Sequence, residues 1–120
     1  MNKTITIIKI EPHKEPEVID IEDSTETYRS LVGGYLEGLA LSPTAHIIIN
    51  EDGKLMGLEP NRRYRGDVLV GTILIVGTCG PDIVSLTQEQ INQYTEQFKT
   101  PEEISKEEVL GTMGLKFIIF

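Results

Sequence analysis

Arg62, Arg63 and Arg65 fall within four residues of one another, in the run Asn61-Arg62-Arg63-Tyr64-Arg65-Gly66. They are three of the four arginines in an otherwise acidic chain. A guanidinium is planar, permanently charged and able to hold phosphate or carboxylate through two parallel hydrogen bonds. Asn61 adds an amide that can read a base or a ribose. Tyr64 offers a ring for stacking, and Gly66 lets backbone N–H groups approach an anion closely. Taken together, these six residues describe the lip of a pocket for a nucleotide or another phosphorylated ligand. A plainer reading has the arginines paired with nearby carboxylates in solvent, where each pair contributes only about 0–1 kcal/mol. Charge and a stacking surface are interleaved in one place, which is the reason to carry the ligand reading forward.

Other reactive side chains form no set. His13 lies in a loop bounded by Pro12 and Pro16, and His46 begins an aliphatic run. Neither has a second His, Cys or acidic residue at ligand spacing, so no metal site is expected. Cys79 precedes Gly80-Pro81 and has no neighbouring base of the kind a catalytic thiol needs. The acidic pairs Glu102-Glu103 and Glu107-Glu108 suit helix ends and solvated faces better than acid–base work. Phosphate-loop, dinucleotide, serine-hydrolase and zinc-protease motifs are absent from the sequence. The expectation is a protein that binds without catalysis and without a cofactor.

Composition narrows the partners. The chain has 120 residues, a single-domain length, so one domain over residues 1–120 is expected. Such a chain buries about two-thirds of its unfolded surface and needs no metal or disulfide to make a core. Nineteen acidic residues against eleven basic ones give a net charge of -8. That balance argues against binding a nucleic-acid backbone, where cations must displace counterions. One cysteine allows no internal disulfide, and no segment approaches the roughly 18 apolar residues of a membrane span. A cytoplasmic protein with no membrane contact is expected.

The elements that must position the basic cluster follow from periodicity and punctuation. Thr4 to Ile10 reads as a strand, and Glu17 to Ile21 as a hairpin arm. Thr25 to Val32 reads as a helix that starts after Asp23-Ser24 and stops at Gly33-Gly34. Tyr35 to Leu41 alternates as a strand, followed by a strand over His46 to Asn50. Asp52-Gly53 is a strong hairpin signal, which predicts a return arm over Lys54 to Leu58. Asp67 to Gly77 then reads as one long central strand, with Gly71 marking a bulge. Thr87 and Gln90 form a capping box, with Ile91, Tyr94 and Phe98 as the buried stripe of a second helix. Thr100, Pro101 and Glu103 predict the start of a third, closed at Gly111. The tail from Leu115 to Phe120 has the length of a last strand and is apolar on both faces. The resulting fold class is α+β: a mostly antiparallel sheet with two or three helices on one face.

Several segments occur in an order that is specific as a set. These are the first strand ending in Glu11-Pro12, Leu31 to Gly38 (LVGGYLEG), the hairpin region Asn50 to Gly57, Leu58 to Arg62 (LEPNR) and Gly66 to Gly71 (GDVLVG). With the LTQEQI start of the second helix, they resemble a family of short proteins of unknown function. That family is found mostly in bacteriophages and mobile elements of Gram-positive bacteria. The likeness covers residues 3 to about 98. The resemblance implies no catalytic residues, and it implies an accessory protein that counters host defence. In that setting the cluster Asn61 to Gly66 suggests sequestration of a nucleotide-derived immune signal without turnover, with pockets completed by homo-oligomerisation. The alternative is an acidic inhibitor of a restriction or CRISPR nuclease, with a host defence protein as partner. Its acidic segments, Glu11 to Glu26 and Glu102 to Glu108, would then mimic nucleic acid.

Overall fold

In the computed structural model, which describes residues 3–114, the β-branched runs assemble into sheets. The order is β1 (Thr4–Ile10), β2 (Glu17–Glu22), α1 (Thr25–Val32), β3 (Leu36–Ser42), β4 (Ala45–Asn50), β5 (Pro60–Tyr64), β6 (Asp67–Val70), β7 (Ile73–Cys79), β8 (Asp82–Val84), α2 (Gln88–Gln97) and α3 (Lys106–Thr112). The main sheet runs β2-β1-β7-β4-β3, and β8 pairs with the end of β7 that β1 leaves open. Each of its pairings is antiparallel. β5 and β6 form a separate antiparallel ribbon. The protein is thus α+β with a mostly antiparallel sheet.

Strands β1, β4 and β7 carry Ile, Leu or Val at successive positions, so the middle of the sheet is apolar on both sides. Ile8, Ile10, Ile47, Ile49, Ile73 and Ile75 face Tyr94 and Phe98 of the α2 segment. Ile5, Ile7, Ile48, Leu74 and Val76 face Tyr28 and Val32 of α1. The helices therefore occupy both faces, which corrects the expectation of one. A single helical layer would leave one set of isoleucines in water, at roughly 25 cal/mol for each Å² of apolar surface.

Local signals placed the helix starts of α1 and α2 well. Ser24 Oγ accepts from the Thr27 N–H, and α1 ends at Gly33. Thr87 and Gln90 exchange both bonds of the capping box. Three other expectations are corrected. The Asp52-Gly53 turn does not lead into a return strand, because β4 already has β3 on one edge and β7 on the other. Residues 51–57 instead close as turns, with the Asp52 N–H donating to Asn50 Oδ1 at 2.8 Å and the Leu58 N–H to the Gly53 carbonyl. The long strand is broken at Gly71, whose φ is 72°, and its two halves belong to different sheets. A Cβ there would lie 2.8 Å from Leu58 Cδ1, so glycine both permits the turn and admits the neighbour. The third helix starts after Ser105, whose Oγ accepts from the Glu108 N–H, and it runs through Gly111. The expected strand over residues 115–120 lies outside the described residues.

A candidate binding cleft at the tip of the β5–β6 ribbon

The basic segment, left between the return arm expected over Lys54 to Leu58 and the strand expected from Asp67, is itself a strand and its turn. Arg65 and Gly66 have φ values of 48° and 79°, the signature of a two-residue primed hairpin turn between Tyr64 and Asp67. Strand alternation then sends neighbouring side chains to opposite sides of the ribbon. Arg62 lies across from Leu69, on the side of α2. Arg63 lies across from Val68, on the side that packs against Val109 of α3.

Arg62 is fully buried. Its Nε and Nη2 donate to the Phe98 carbonyl at 3.1 and 2.9 Å. Nη2 also donates to the Lys14 carbonyl at 2.7 Å, and Nη1 to Asn61 Oδ1 at 2.9 Å. Phe98 caps α2, so the guanidinium answers an end carbonyl that the helix leaves unpaired and meets the negative end of its dipole. Burial pulls this guanidinium below its ordinary pKa, and the carboxylate of Glu102 opposes the shift. Asn61 is also fully buried, and its Nδ2 donates to the carbonyls of Ile10 and Gly71 at 2.9 and 2.7 Å. These two residues staple the ribbon to β1, to the loop before β2 and to the end of α2. Neither faces a ligand, which corrects that part of the expected site. A buried charge and a buried amide are retained only where every donor finds an acceptor.

Arg63 is half exposed and clamped. Nε and Nη2 meet Glu108 at 2.6 and 2.8 Å in a two-pronged pair, and Nη1 reaches Glu102 Oε1 at 3.0 Å. The bonds to Glu108 raise the Arg63 pKa and hold that carboxyl below its ordinary range. Tyr64 is partly buried. Its hydroxyl donates to the Ala40 carbonyl at 3.2 Å, and its ring centroid lies 6.3 Å from that of Phe98. Arg65 is exposed, with its guanidinium carbon 5.0 Å from the Tyr64 ring centroid. Among the described residues no carboxylate pairs with it.

Arg63, Tyr64 and Arg65 line an open cleft of about 440 Å³, opposite Gln93 and Gln97 of α2, with Glu102 at one side. A wider groove of about 600 Å³ continues along α2 past Gln93 and Tyr94 toward Thr87. Three of the six predicted site residues are thus brought together. Gly66 shapes the turn without lining the cleft. Gln93 and Gln97 were not singled out in the sequence, although their spacing of four places both on one helix face. The cleft can stack a planar group on Tyr64 and Arg65 and offer amide donors and acceptors from α2. Glu108 and Glu102 offset the charge of Arg63, so Arg65 supplies the available positive charge, enough for one anionic group.

Among the described residues, no cluster of three His, Cys, Asp or Glu side chains is placed to hold a metal, and no helix is long and apolar enough to cross a membrane. No curated protein and no solved structure matches the sequence. Residues 5–99 do match a family, described as a domain of unknown function (DUF3846). Asn61, Arg62 and all their bonding partners fall inside that span, whereas Glu102, Glu108 and α3 fall outside it. The chain belongs to the DUF3846 family of domains.

Proposed function

We propose that the protein is a non-catalytic binding protein that captures a small nucleotide-class ligand in the cleft between the β5–β6 tip and α2. The observation that carries this reading is the Arg65 guanidinium, laid over Tyr64 at the mouth of that cleft and without a carboxylate partner among the described residues. Guanidinium over ring is a surface on which a base can stack, and the permanent charge suits one phosphate or phosphodiester. Gln93 and Gln97 would read the edge of the base. The cleft volume lies within the ordinary range for small-ligand sites, about 300–1,000 Å³. With the likeness to phage and mobile-element proteins, the role we assign is sequestration of a nucleotide-derived host-defence signal without turnover. A homo-oligomer would close the open side of the cleft.

The test is a thermal-shift and calorimetric panel of cyclic dinucleotides and cyclic ADP-ribose isomers. One member is expected to raise the melting temperature and to be recovered intact after heat release. Arg65→Ala and Tyr64→Ala are expected to abolish that shift while keeping the fold. A panel with no effect, or binding unchanged in both variants, would overturn the reading.

A second reading has an observation of its own. Arg62 is buried, so the exposed surface is more acidic than the net charge of the sequence implies. That favours an inhibitor that occupies a basic nucleic-acid channel on a nuclease. Capture of a restriction or CRISPR nuclease that weakens steeply with salt and survives Arg65→Ala would establish this reading in place of the first.

A further inference from the structure

We propose that a second pocket, on the face of the sheet that carries α1, binds a small apolar molecule bearing a hydroxyl group, held between His46 and Thr78. His46 of β4 pairs with Val76 of β7, so Thr78, two residues further on, is its diagonal neighbour on the same face. Both line a pocket of about 280 Å³ whose walls include Leu36, Ile48, Val76 and Ile83. These belong to the α1 side of the core, whereas Leu41, Tyr94 and Phe98 of the cleft belong to the α2 side. The two sites are therefore on opposite faces, and this inference stands apart from the function proposed above.

Two observations point to an occupant. First, β3 places Gly38 directly across from Ile48, at a position where strand alternation would otherwise put a side chain over the sheet. A Cβ at Gly38 would meet nothing closer than His46 Cδ2, at 3.9 Å, so the space is open. Second, His46 Nδ1 and Thr78 Oγ1 are buried and have no hydrogen-bond partner among the described residues. Buried polar side-chain atoms are nearly always paired. Here two of them belong to residues of adjacent strands that line one pocket, so a guest seated there lies next to both residues. A hydroxyl both donates and accepts, so it can serve Nδ1 in either imidazole tautomer and the threonine hydroxyl as well. A carboxylate fits poorly, because Glu37 also lines the pocket and would repel it. The chemistry that fits is a small neutral molecule with one hydroxyl.

Phenol and toluene are matched probes, similar in shape and differing in the hydroxyl. In an NMR titration of the intact chain, phenol is expected to shift the His46 and Thr78 resonances saturably and to bind about tenfold tighter than toluene, the margin of one well-made hydrogen bond. Thr78→Val keeps the shape and is expected to shrink that margin. Gly38→Val suits a strand and fills the space, so it is expected to abolish binding of both probes. Equal affinity for the two probes, shifts confined to other parts of the sheet, or phenol binding that survives Gly38→Val in a folded protein would each overturn the proposal.

Discussion

Arg62 shows how one side chain can hold three parts of a chain together. A guanidinium has five donors in a rigid fork, and this one reaches acceptors on α2, on the loop before β2 and on Asn61. Replacing it with alanine leaves the Phe98 and Lys14 carbonyls without that partner. We expect Arg62→Ala to lower stability by about 2–6 kcal/mol, two carbonyls being left unpaired at about 1–3 kcal/mol each. Arg62→Lys should recover little of this, since an ammonium cannot span the same acceptors. Urea unfolding followed by circular dichroism measures both, and a loss below about 1 kcal/mol would mean that other groups serve those carbonyls. In the sequence Arg62, Arg63 and Arg65 looked equivalent, because they lay between two expected strands and in no element of their own. Pro60 in fact begins a strand, as proline can on an edge ribbon. Once β5 is a strand, alternation alone separates Arg62 from Arg63. The fate of Arg62 was still hidden, because its main acceptor is 36 residues away.

Helix α3 depends on the ribbon. Val109 packs on Val68 and Val70, Arg63 grips Glu108, and Lys54 bridges Asp67 and Thr112. Arg63 holds the Glu108 carboxyl below its ordinary 4.5. Burial would raise Asp67, but its bonds from Lys54 and from the Val68 N–H outweigh that and hold it below 3.8. Both groups therefore have a lower pKa folded than unfolded. Their stabilisation is complete above the unfolded values and is lost as pH falls through the depressed ones. Amide protection in α3, measured against the intrinsic exchange rate at each pH, is expected to fall below pH 4.5 before it does in β7, and Arg63→Ala should remove much of that pH dependence. Exchange that stays uniform across the molecule would show that these pairs do not govern the attachment. Where α3 begins was not readable locally. Thr100 and Ser105 are both suited to capping, and the helix starts after the second, where Arg63 holds the Glu108 carboxylate from 45 residues back. The Asp52-Gly53 signal failed for a similar reason: β4 pairs with β7, which comes later in the chain.

On the scale of the whole molecule, a net charge of -8 on 120 residues means the folded state repels itself. Several of its ion pairs are exposed, where each contributes about 0–1 kcal/mol. Repulsion should then outweigh them, and about 0.3 M sodium chloride should raise the unfolding midpoint by screening it. A fall would show that Arg63–Glu108 and Lys54–Asp67 matter more than the general field. The α+β class was legible because alternation and capping are local. The two-sided core was legible too, in the successive isoleucines of β1 and β4, although the expectation of one helical face passed over it.

Strand β7 lies between β1 and β4, and it comes after both in the chain. While the chain is being made, the hairpins β1–β2 and β3–β4 leave the ribosome with no common partner. Neither can bury both of its oily sides until Ile73 to Cys79 has followed. Nascent chains stopped at Gly71 should therefore stay open and attract chaperones, and the finished protein should fold on the slow timescale of distant strand pairing, in milliseconds to seconds.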